Sequence, residues 1–600
     1  MFQSFTDSSS PDQGPPRLTS LRGLMEAEGL SGWMVPRADA HQGEYVAPGD
    51  ERLSWLTGFT GSAGFCIVLQ HVAGIFIDGR YRTQVRAQVD TEAFTPVDWP
   101  ETKPAGWLKQ TLPQGGTVGF NPWLYTPEQI TTIEAGLKDT GIHLEARADL
   151  IDSIWPDRPA PPLGRVRAYP EDLAGETHAQ KRTRLAAALK EAGQEAAVIT
   201  LPDSIAWLLN IRGSDIPRNP VPHGFAILHD SALLTFFVAA EKLDDTVRAH
   251  LGDDITIRPP NAFGPGLRSL TGPVRVDKGS APVWVVQQLD EAGVPHQWGQ
   301  DPCILPKARK TPAEIAATRT AHLRDAAAMC EFLCWFDAQP PGSINEIDVV
   351  TRLEECRRAT GALLDISFDT IAGSGPHGAL PHYRVSATSN RTLQNGELLV
   401  LDSGGQYLDG TTDITRTLAI GTPGGDEGAA FTRVLQGMIA MSRVRWPRGL
   451  AGRDLDVIAR YPLWLADQDY AHGTGHGVGV HLCVHEGPQR LSRVSEVPLE
   501  PGMILSNEPG YYREGAFGIR IENLVVVTEA ETLPGGDATG KLCFETLNYV
   551  PIDRRLIVAD QLSAQERDWL NDYHAACLDK VGGSVTAPTR DWLKAATAPL

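Results

Sequence analysis

The chain has 600 residues, 42% of them hydrophobic and 21% charged, a balance that excludes a collagen, a coiled coil and a wholly disordered chain. Its 54 Lys and Arg against 74 Asp and Glu give a net charge of −20, so the average surface field repels phosphate backbones and anionic lipid headgroups. Neither nucleic acid nor membrane is expected as a partner. The eight cysteines are scattered with no C-x-x-C pair, the usage of reduced thiols. Residues 1–16 are polar and lack the apolar core of a secretory signal. No run reaches the roughly eighteen apolar residues that span a bilayer. A cytoplasmic protein is expected.

In chain order, an echo comes first. Trp55-Leu56 with Gly61-Ser62 recurs as Trp207-Leu208 with Gly213-Ser214, 152 residues further on, and each copy precedes short β-rich runs (65–69 and 74–78; 225–228 and 232–239). Between the copies stand Pro156, Pro159, Pro161 and Pro162, which can continue neither a helix nor a central strand, so 155–170 reads as a linker. Two related α/β modules, 1–160 and 161–305, are expected ahead of a larger third domain, 306–600. A second break falls at 302–310, where Lys307, Arg309 and Lys310 read as a solvated basic linker. Thr311-Pro312-Ala313-Glu314 then supplies an N-cap hydroxyl, a proline for the first turn and a glutamate that can reach back. A long helix should start at Pro312, with Ile315, Leu323, Ala327, Cys330, Phe332, Leu333 and Phe336 as its core stripe.

The last 290 residues or so carry acids and histidines in a pattern that packing does not need. Two β-rich runs flank the turn signal Asp409-Gly410, and Asp402 and Asp413 lie symmetrically about Tyr407-Leu408. A bulged hairpin would bring the two carboxylates side by side, where they repel unless a divalent cation lies between them. In an isolated hairpin, one Asp would simply cap a turn. A second pair, Glu508 and Glu522, is symmetric about Gly515. Glu522 falls in an otherwise apolar alternation, and an acid near a core needs a partner.

Between the pairs comes His472-Gly-Thr-Gly-His476-Gly-Val-Gly, then His485-Glu486-Gly487, a glycine-rich segment able to approach a ligand closely. With four carboxylates in the same third of the chain, at least one histidine is expected to bind metal. Oxygen-rich ligation with one imidazole favours Mn²⁺, with Zn²⁺, Co²⁺ or Fe²⁺ as alternatives. Four carboxylates balance two divalent cations and leave a bridging hydroxide as the net anion. Two such ions lower the pKa of a shared water and polarise a carbonyl, so the implied reaction is hydrolysis.

Taken together, these residues resemble the pita-bread metallopeptidases and, within them, the long three-domain aminopeptidase P (X-prolyl aminopeptidase) type. The family pattern is matched by Asp402, Asp413, His476, Glu508 and Glu522. Further likeness lies in Ala40-His-Gln-Gly-Glu-Tyr-Val-Ala-Pro48, Gly58-Phe-Thr-Gly-Ser-Ala-Gly64 and Asp78-Gly-Arg-Tyr81, in Ala206-Trp-Leu-Leu-Asn-Ile-Arg-Gly-Ser-Asp215, and in the tail from Phe544 to Leu593. The resemblance implies an α/β (α+β) architecture of two creatinase-like N-terminal domains and a C-terminal pita-bread domain. It implies a homodimer acting on peptides with proline second. Asp402 would chelate one metal, His476 and Glu508 the other, and Asp413 and Glu522 would bridge them. Glu508 would also move the proton, His382 and Arg80 would contact substrate, His472 would be a further active-site histidine, and His485 would donate to the tetrahedral oxygen. Against this pattern, His377-Gly378 stands where relatives usually have Asn-Gly, and Asn507 stands where they often carry an acid. The rival enzyme is a prolidase-type X-Pro dipeptidase, against which the extra middle domain counts. A methionine aminopeptidase would lack both N-terminal modules. Creatinase-like enzymes lack the metals, and a non-catalytic binding protein on the same scaffold would typically have lost ligands.

Overall fold

A computed structural model describes residues 1–6, 9–537 and 539–600. The chain divides into two compact units, Ser8–Lys307 and, separately, Met1–Asp7 with Ala308–Leu600.

The N-terminal unit holds two six-stranded sheets. In the first the order is Thr95–Asp98, Ala73–Ile77, Phe65–Leu69, Gly32–Pro36, Gly116–Phe120, Ile142–Ala146. The second runs Ile255–Arg258, Leu234–Phe237, Phe225–His229, Ala196–Ile199, Val274–Val276, His296–Trp298. Strand directions also agree: in each sheet the second, third and fourth strands form an antiparallel meander and the outer pairings are parallel. The leading strands Gly32–Pro36 and Ala196–Ile199, central in their sheets, are buried throughout, as strands covered on both faces are. Each echoed Trp-Leu lies in the helix after its leading strand, Arg52–Thr57 or Pro202–Leu209, and both helices end on a left-handed residue, Gly58 (φ 86°) or Asn210 (φ 48°). The short sequence echo is thus a repeated sheet.

In the C-terminal unit the helix Pro312–Asp337 starts as expected: Glu314 N donates to Thr311 Oγ1 (3.1 Å) and Thr311 N to Glu314 Oε2 (2.8 Å). Its stripe is rotated from the expected one. Cys330, Phe332, Leu333 and Phe336 are buried, but Ile315, Leu323 and Ala327 are only partly so, because Asp325 and His322 occupy the inward face. Asp325 is held there by Arg357 (2.8 and 3.1 Å) and the Tyr407 hydroxyl (2.7 Å), a satisfied buried network. The basic linker is a second correction. Lys307 is buried on Asp203 (2.8 Å) and Lys310 is buried on Glu486, and only Arg309 is exposed. Long aliphatic stems let these cations cross apolar surface to a carboxylate, which composition alone does not reveal.

The catalytic-looking part is built twice. The helix pair Pro312–Asp337 and Glu346–Arg358 returns as Gly425–Arg443 and Gly452–Trp464, each ending 106 residues later. The bridges Asn345↔Thr392 and Ala451↔Pro498 keep the same offset. Strands Ile371–Ser374, Leu398–Ser403 and Ile414–Ala419 lie side by side in one half, and Gly475–Gly477, Ile504–Asn507 and Asn523–Glu529 lie in the same order in the other. Under this repeat Asp402 and Glu508 occupy equivalent places.

Candidate metal centre

Glu508 and Glu522 come together through a register the sequence symmetry predicts. Ile504–Asn507 pairs with Asn523–Glu529 and Gly510–Arg513 with Phe517–Arg520, all about Gly515 (φ 72°), so the two glutamates face each other in the unladdered step between the sheets. The other hairpin departs from expectation. Its turn is Leu408-Asp409, which sets Asp402 opposite Thr415 and leaves Asp413 in a break opposite Gly404. The glycine is required there, since a Cβ on Gly404 would meet the Thr412 carbonyl oxygen at 1.9 Å. Both aspartates still reach one site, because the break redirects the chain at Asp413.

Ligand atoms of Asp413, His476 and Glu522 all lie within 4.8 Å of one another. His476 Nε2 is 3.5 Å from Asp413 Oδ2 and 3.8 Å from Glu508 Oε1. The Nδ1 of His476 faces the Gly477 carbonyl (3.0 Å), which holds a proton on Nδ1 and turns Nε2 into the cluster. Desolvation opposes charging of this imidazole, yet Asp413 and Glu508 hold its pKa up at about 9. Burial raises the pKa of Asp402, Glu508 and Glu522, and the neighbouring carboxylates add to it, most strongly at Glu522. Four acids crowded with little water are a site short of positive charge. Asp402 Oδ1 and Asp413 Oδ1 are buried without a hydrogen-bond partner. Orphaned carboxylate oxygens beside an imidazole nitrogen that faces them, one that a metal ion would take in place of its proton, fit divalent cations.

One cation is already supplied by the protein. Arg520 donates to Asp402 Oδ2 (2.6 and 3.2 Å), to the Tyr512 hydroxyl (2.6 Å) and to the Pro381 carbonyl (3.2 Å). Sequence reasoning missed it, although its place two residues before Glu522 puts it on the same strand face. Thr415 was missed too: its hydroxyl donates to Glu522 Oε2 (2.8 Å) and its carbonyl receives Glu522 N (3.1 Å).

The remaining predicted residues surround this cluster unequally. The Nδ1 of His472 faces the Gly473 carbonyl (2.7 Å), leaving Nε2 to accept from the Tyr512 hydroxyl (2.9 Å), which links it through Arg520 to Asp402. His485 is exposed and sits edge-on to His476, ring centroids 4.3 Å apart. His382 follows Pro381, whose carbonyl Arg520 holds. His377 Nδ1 faces buried Glu346 (3.0 Å), which also receives the Tyr383 hydroxyl (2.9 Å). Asn507 points away from the acids, because strand alternation sends it to the Met438 carbonyl (3.0 Å) while Ser506 and Glu508 face the site. Arg80 belongs to the N-terminal unit, where Asp78 grips it at 2.7 and 3.0 Å.

The fold and this carboxylate-rich cluster define a metallohydrolase. Family models give it a place: metallopeptidase family M24 matches residues 316–529, the C-terminal region of peptidase M24 matches 540–600, and the creatinase/prolidase N-terminal domain matches 17–153 and again 157–314. A probable Xaa-Pro aminopeptidase P of Aspergillus fumigatus is 37% identical over 606 residues, 97% of this chain and 92% of that protein. Its counterpart in Aspergillus niger is 36% identical, covering 97% and 98%. The crystal structure of X-prolyl aminopeptidase from Caenorhabditis elegans, described as a cytosolic enzyme with a di-nuclear active site, superposes with a TM-score of 0.92 at 32% identity over 98% of this chain and 99% of that one. The chain belongs to metallopeptidase family M24, with two creatinase-type domains ahead of its pita-bread domain.

Proposed function

We propose that this protein is an Xaa-Pro aminopeptidase, a dinuclear-metal exopeptidase that releases the N-terminal residue of a peptide whose second residue is proline. The observation that carries the reading is the pair of orphaned oxygens, Asp402 Oδ1 and Asp413 Oδ1, within a five-residue ligand set, on a chain 37% identical to an Xaa-Pro aminopeptidase P along 97% of its length. Asp402 would hold one ion, His476 and Glu508 the other, and Asp413 and Glu522 both. Mn²⁺ suits so oxygen-rich a set, with Zn²⁺ or Co²⁺ as alternatives. Two divalent cations there supply Lewis acidity, making a water nucleophilic near neutral pH and polarising the scissile carbonyl.

The protein's own residues do the rest. Glu508, kept protonatable by burial, takes the proton of the attacking water and hands it to the proline nitrogen as that nitrogen leaves. His485, exposed at the rim, donates to the oxygen that gains charge, and His382 holds the substrate near the scissile bond. His472, oriented by Tyr512, is a further histidine of the active site. Arg80 is assigned a substrate contact from the N-terminal unit. The domains run 1–160, 161–305 and 306–600, and the working form is a cytoplasmic homodimer.

The test is metal-stripped protein, with and without Mn²⁺, against X-Pro-Pro, X-Pro and X-Ala-Ala. Metal-dependent release of X from the first, weak action on the second and none on the third is expected. Preference for the dipeptide would replace the reading with a prolidase, and silence on all three with metal bound would replace it with a binding scaffold.

A further inference from the structure

Beneath the segment that carries His472 and His476 lies a buried ion pair that ligates nothing. On the helix Gly452–Trp464, Asp456 and Arg460 are one turn apart and both almost fully buried. Arg460 donates to Asp456 through Nε (2.6 Å) and Nη2 (3.2 Å), then to Asp469 (2.8 Å), to the Tyr470 carbonyl (2.8 Å) and to the His472 carbonyl (2.7 Å). Its guanidinium stacks 3.9 Å from the Tyr470 ring. Asp456 Oδ1 receives the Thr474 hydroxyl at 2.6 Å, and that hydroxyl also meets the Tyr470 hydroxyl at 2.5 Å. The Thr474 carbonyl in turn accepts Glu508 N at 2.8 Å.

The geometry points to Asp456, Arg460 and Thr474 as a positioning set for the reaction, one that holds His472 and Glu508 in register from behind. A buried ion pair is weak evidence of net stabilisation, because desolvation offsets the Coulombic gain. What this pair does supply is direction. The planar fork of Arg460 takes two main-chain carbonyls of one loop, which a lysine's single ammonium cannot match in geometry. Asp456 fixes the Thr474 side chain, so the Thr474 carbonyl is aimed at the backbone of Glu508, the proposed proton carrier. Displacement of such a backing shell typically lowers activity or metal affinity about 10- to 100-fold.

The inference rests on the proposed function, and the test separates the two. Thr474→Val keeps the shape and removes the hydroxyl, Thr474→Ser keeps the hydroxyl, and Tyr470→Phe removes the second hydroxyl. On X-Pro-Pro with Mn²⁺, Thr474→Val should lower kcat about 10- to 100-fold with KM within about 2-fold, and Thr474→Ser should lie within about 3-fold of the parent. In the Co²⁺-loaded proteins, the visible absorption of Thr474→Val should shift while that of Thr474→Ser should not. An unchanged kcat and spectrum in Thr474→Val would overturn the inference, as would a loss matching its folded fraction and equally present in Thr474→Ser. Should Thr474→Val not fold, Tyr470→Phe is read by the same kcat and spectral criteria. A parent protein that cleaves nothing refutes the aminopeptidase reading, while the Co²⁺ spectra still decide the positioning role.

Discussion

The ninth residue of the helix Glu346–Arg358 is Glu354, and the ninth of its repeat Gly452–Trp464 is Arg460. Arg460 reaches forward along its own half, to the loop before the strand Gly475–Gly477. Glu354 instead receives the main chain of the N-terminal segment, Phe2 N at 2.9 and 3.0 Å. The neighbouring Gln3 then grips Thr370 at both backbone groups (3.2 and 2.8 Å), just before the strand Ile371–Ser374. Thr370 and Thr474 each stand directly before the first of the three matching strands of their half and are both tied down, one by residues from the far end of the sequence and one from within its half. The half bearing His476, Glu508 and Glu522 carries its own support, whereas the half bearing Asp402 borrows part of its support from residues 1–6.

The comparison is tested hardest at the ligands. Asp402→Asn and Glu508→Gln alter equivalent positions of the two halves, so each should cut kcat/KM by about 10³-fold, or ~4 kcal/mol. Each should also lower bound metal from two ions to one by elemental analysis. Retention of both ions and of activity in either variant would remove that position from the ligand set. Next comes the contact between the halves. A Cβ on Gly518 would lie 1.7 Å from the Gly378 carbonyl oxygen, backbone against backbone, in the loop that leads to His382. Gly518→Ala should cost about 2–4 kcal/mol by chemical denaturation and weaken turnover, since neither chain can yield without shifting Arg520 or Pro381. Gly425→Ala, with open space around it, is the control.

Acid should act on the helix that spans both halves. In Ala564–Val581, Leu570, Tyr573 and Cys577 pack with the second half, and Val581 packs with the first. His574 lies fully buried on it and accepts Ile552 N at 3.1 Å, which requires the neutral ring. Burial, helped by Arg416 and Arg554, lowers its pKa to about 4. Below the unfolded value near 6.5 the unfolded chain binds a proton that the folded chain refuses. Stability is therefore lost as pH falls from about 6.5 to 4, by up to ~3 kcal/mol, and is flat below that window. Denaturation midpoints of the metal-loaded protein at pH 7 and pH 4.5 should differ accordingly, and His574→Gln should flatten the slope.

How much of this was legible in the sequence depends on the symmetry each feature leaves behind. Glu508 and Glu522 could be paired because their hairpin keeps one register on both sides of Gly515. Asp402 and Asp413 could be brought to one site but not registered, since Gly404 interrupts the ladder and the turn falls at Leu408-Asp409. The two sheets of the N-terminal unit left an echo because matching helices need matching Trp-Leu and turn residues. The two halves of the C-terminal unit left none, for their common positions hold different residues, an acid against a base at Glu354 and Arg460 and acids of different length at Asp402 and Glu508. Lys307 and Lys310 looked solvated because charge alone does not say where a long side chain finds its carboxylate.

The smallest effect is expected where support is borrowed. Gln3→Ala removes two hydrogen bonds to Thr370 and should lower stability by about 1 kcal/mol, read as a fall of a few degrees in Tm. Because Thr370 adjoins Ile371, whose partner across the sheet is Asp402, turnover should fall as well, by less than about 3-fold. The change to set beside it in the other half, Arg460→Lys, leaves carbonyls of the His472 loop short of a donor and should cost turnover more than it costs Tm. If Gln3→Ala and Arg460→Lys moved kcat equally at equal loss of Tm, the halves would be supported alike. A larger ratio of kcat loss to Tm loss for Arg460→Lys would place the tighter control of catalysis in the half that carries Glu508.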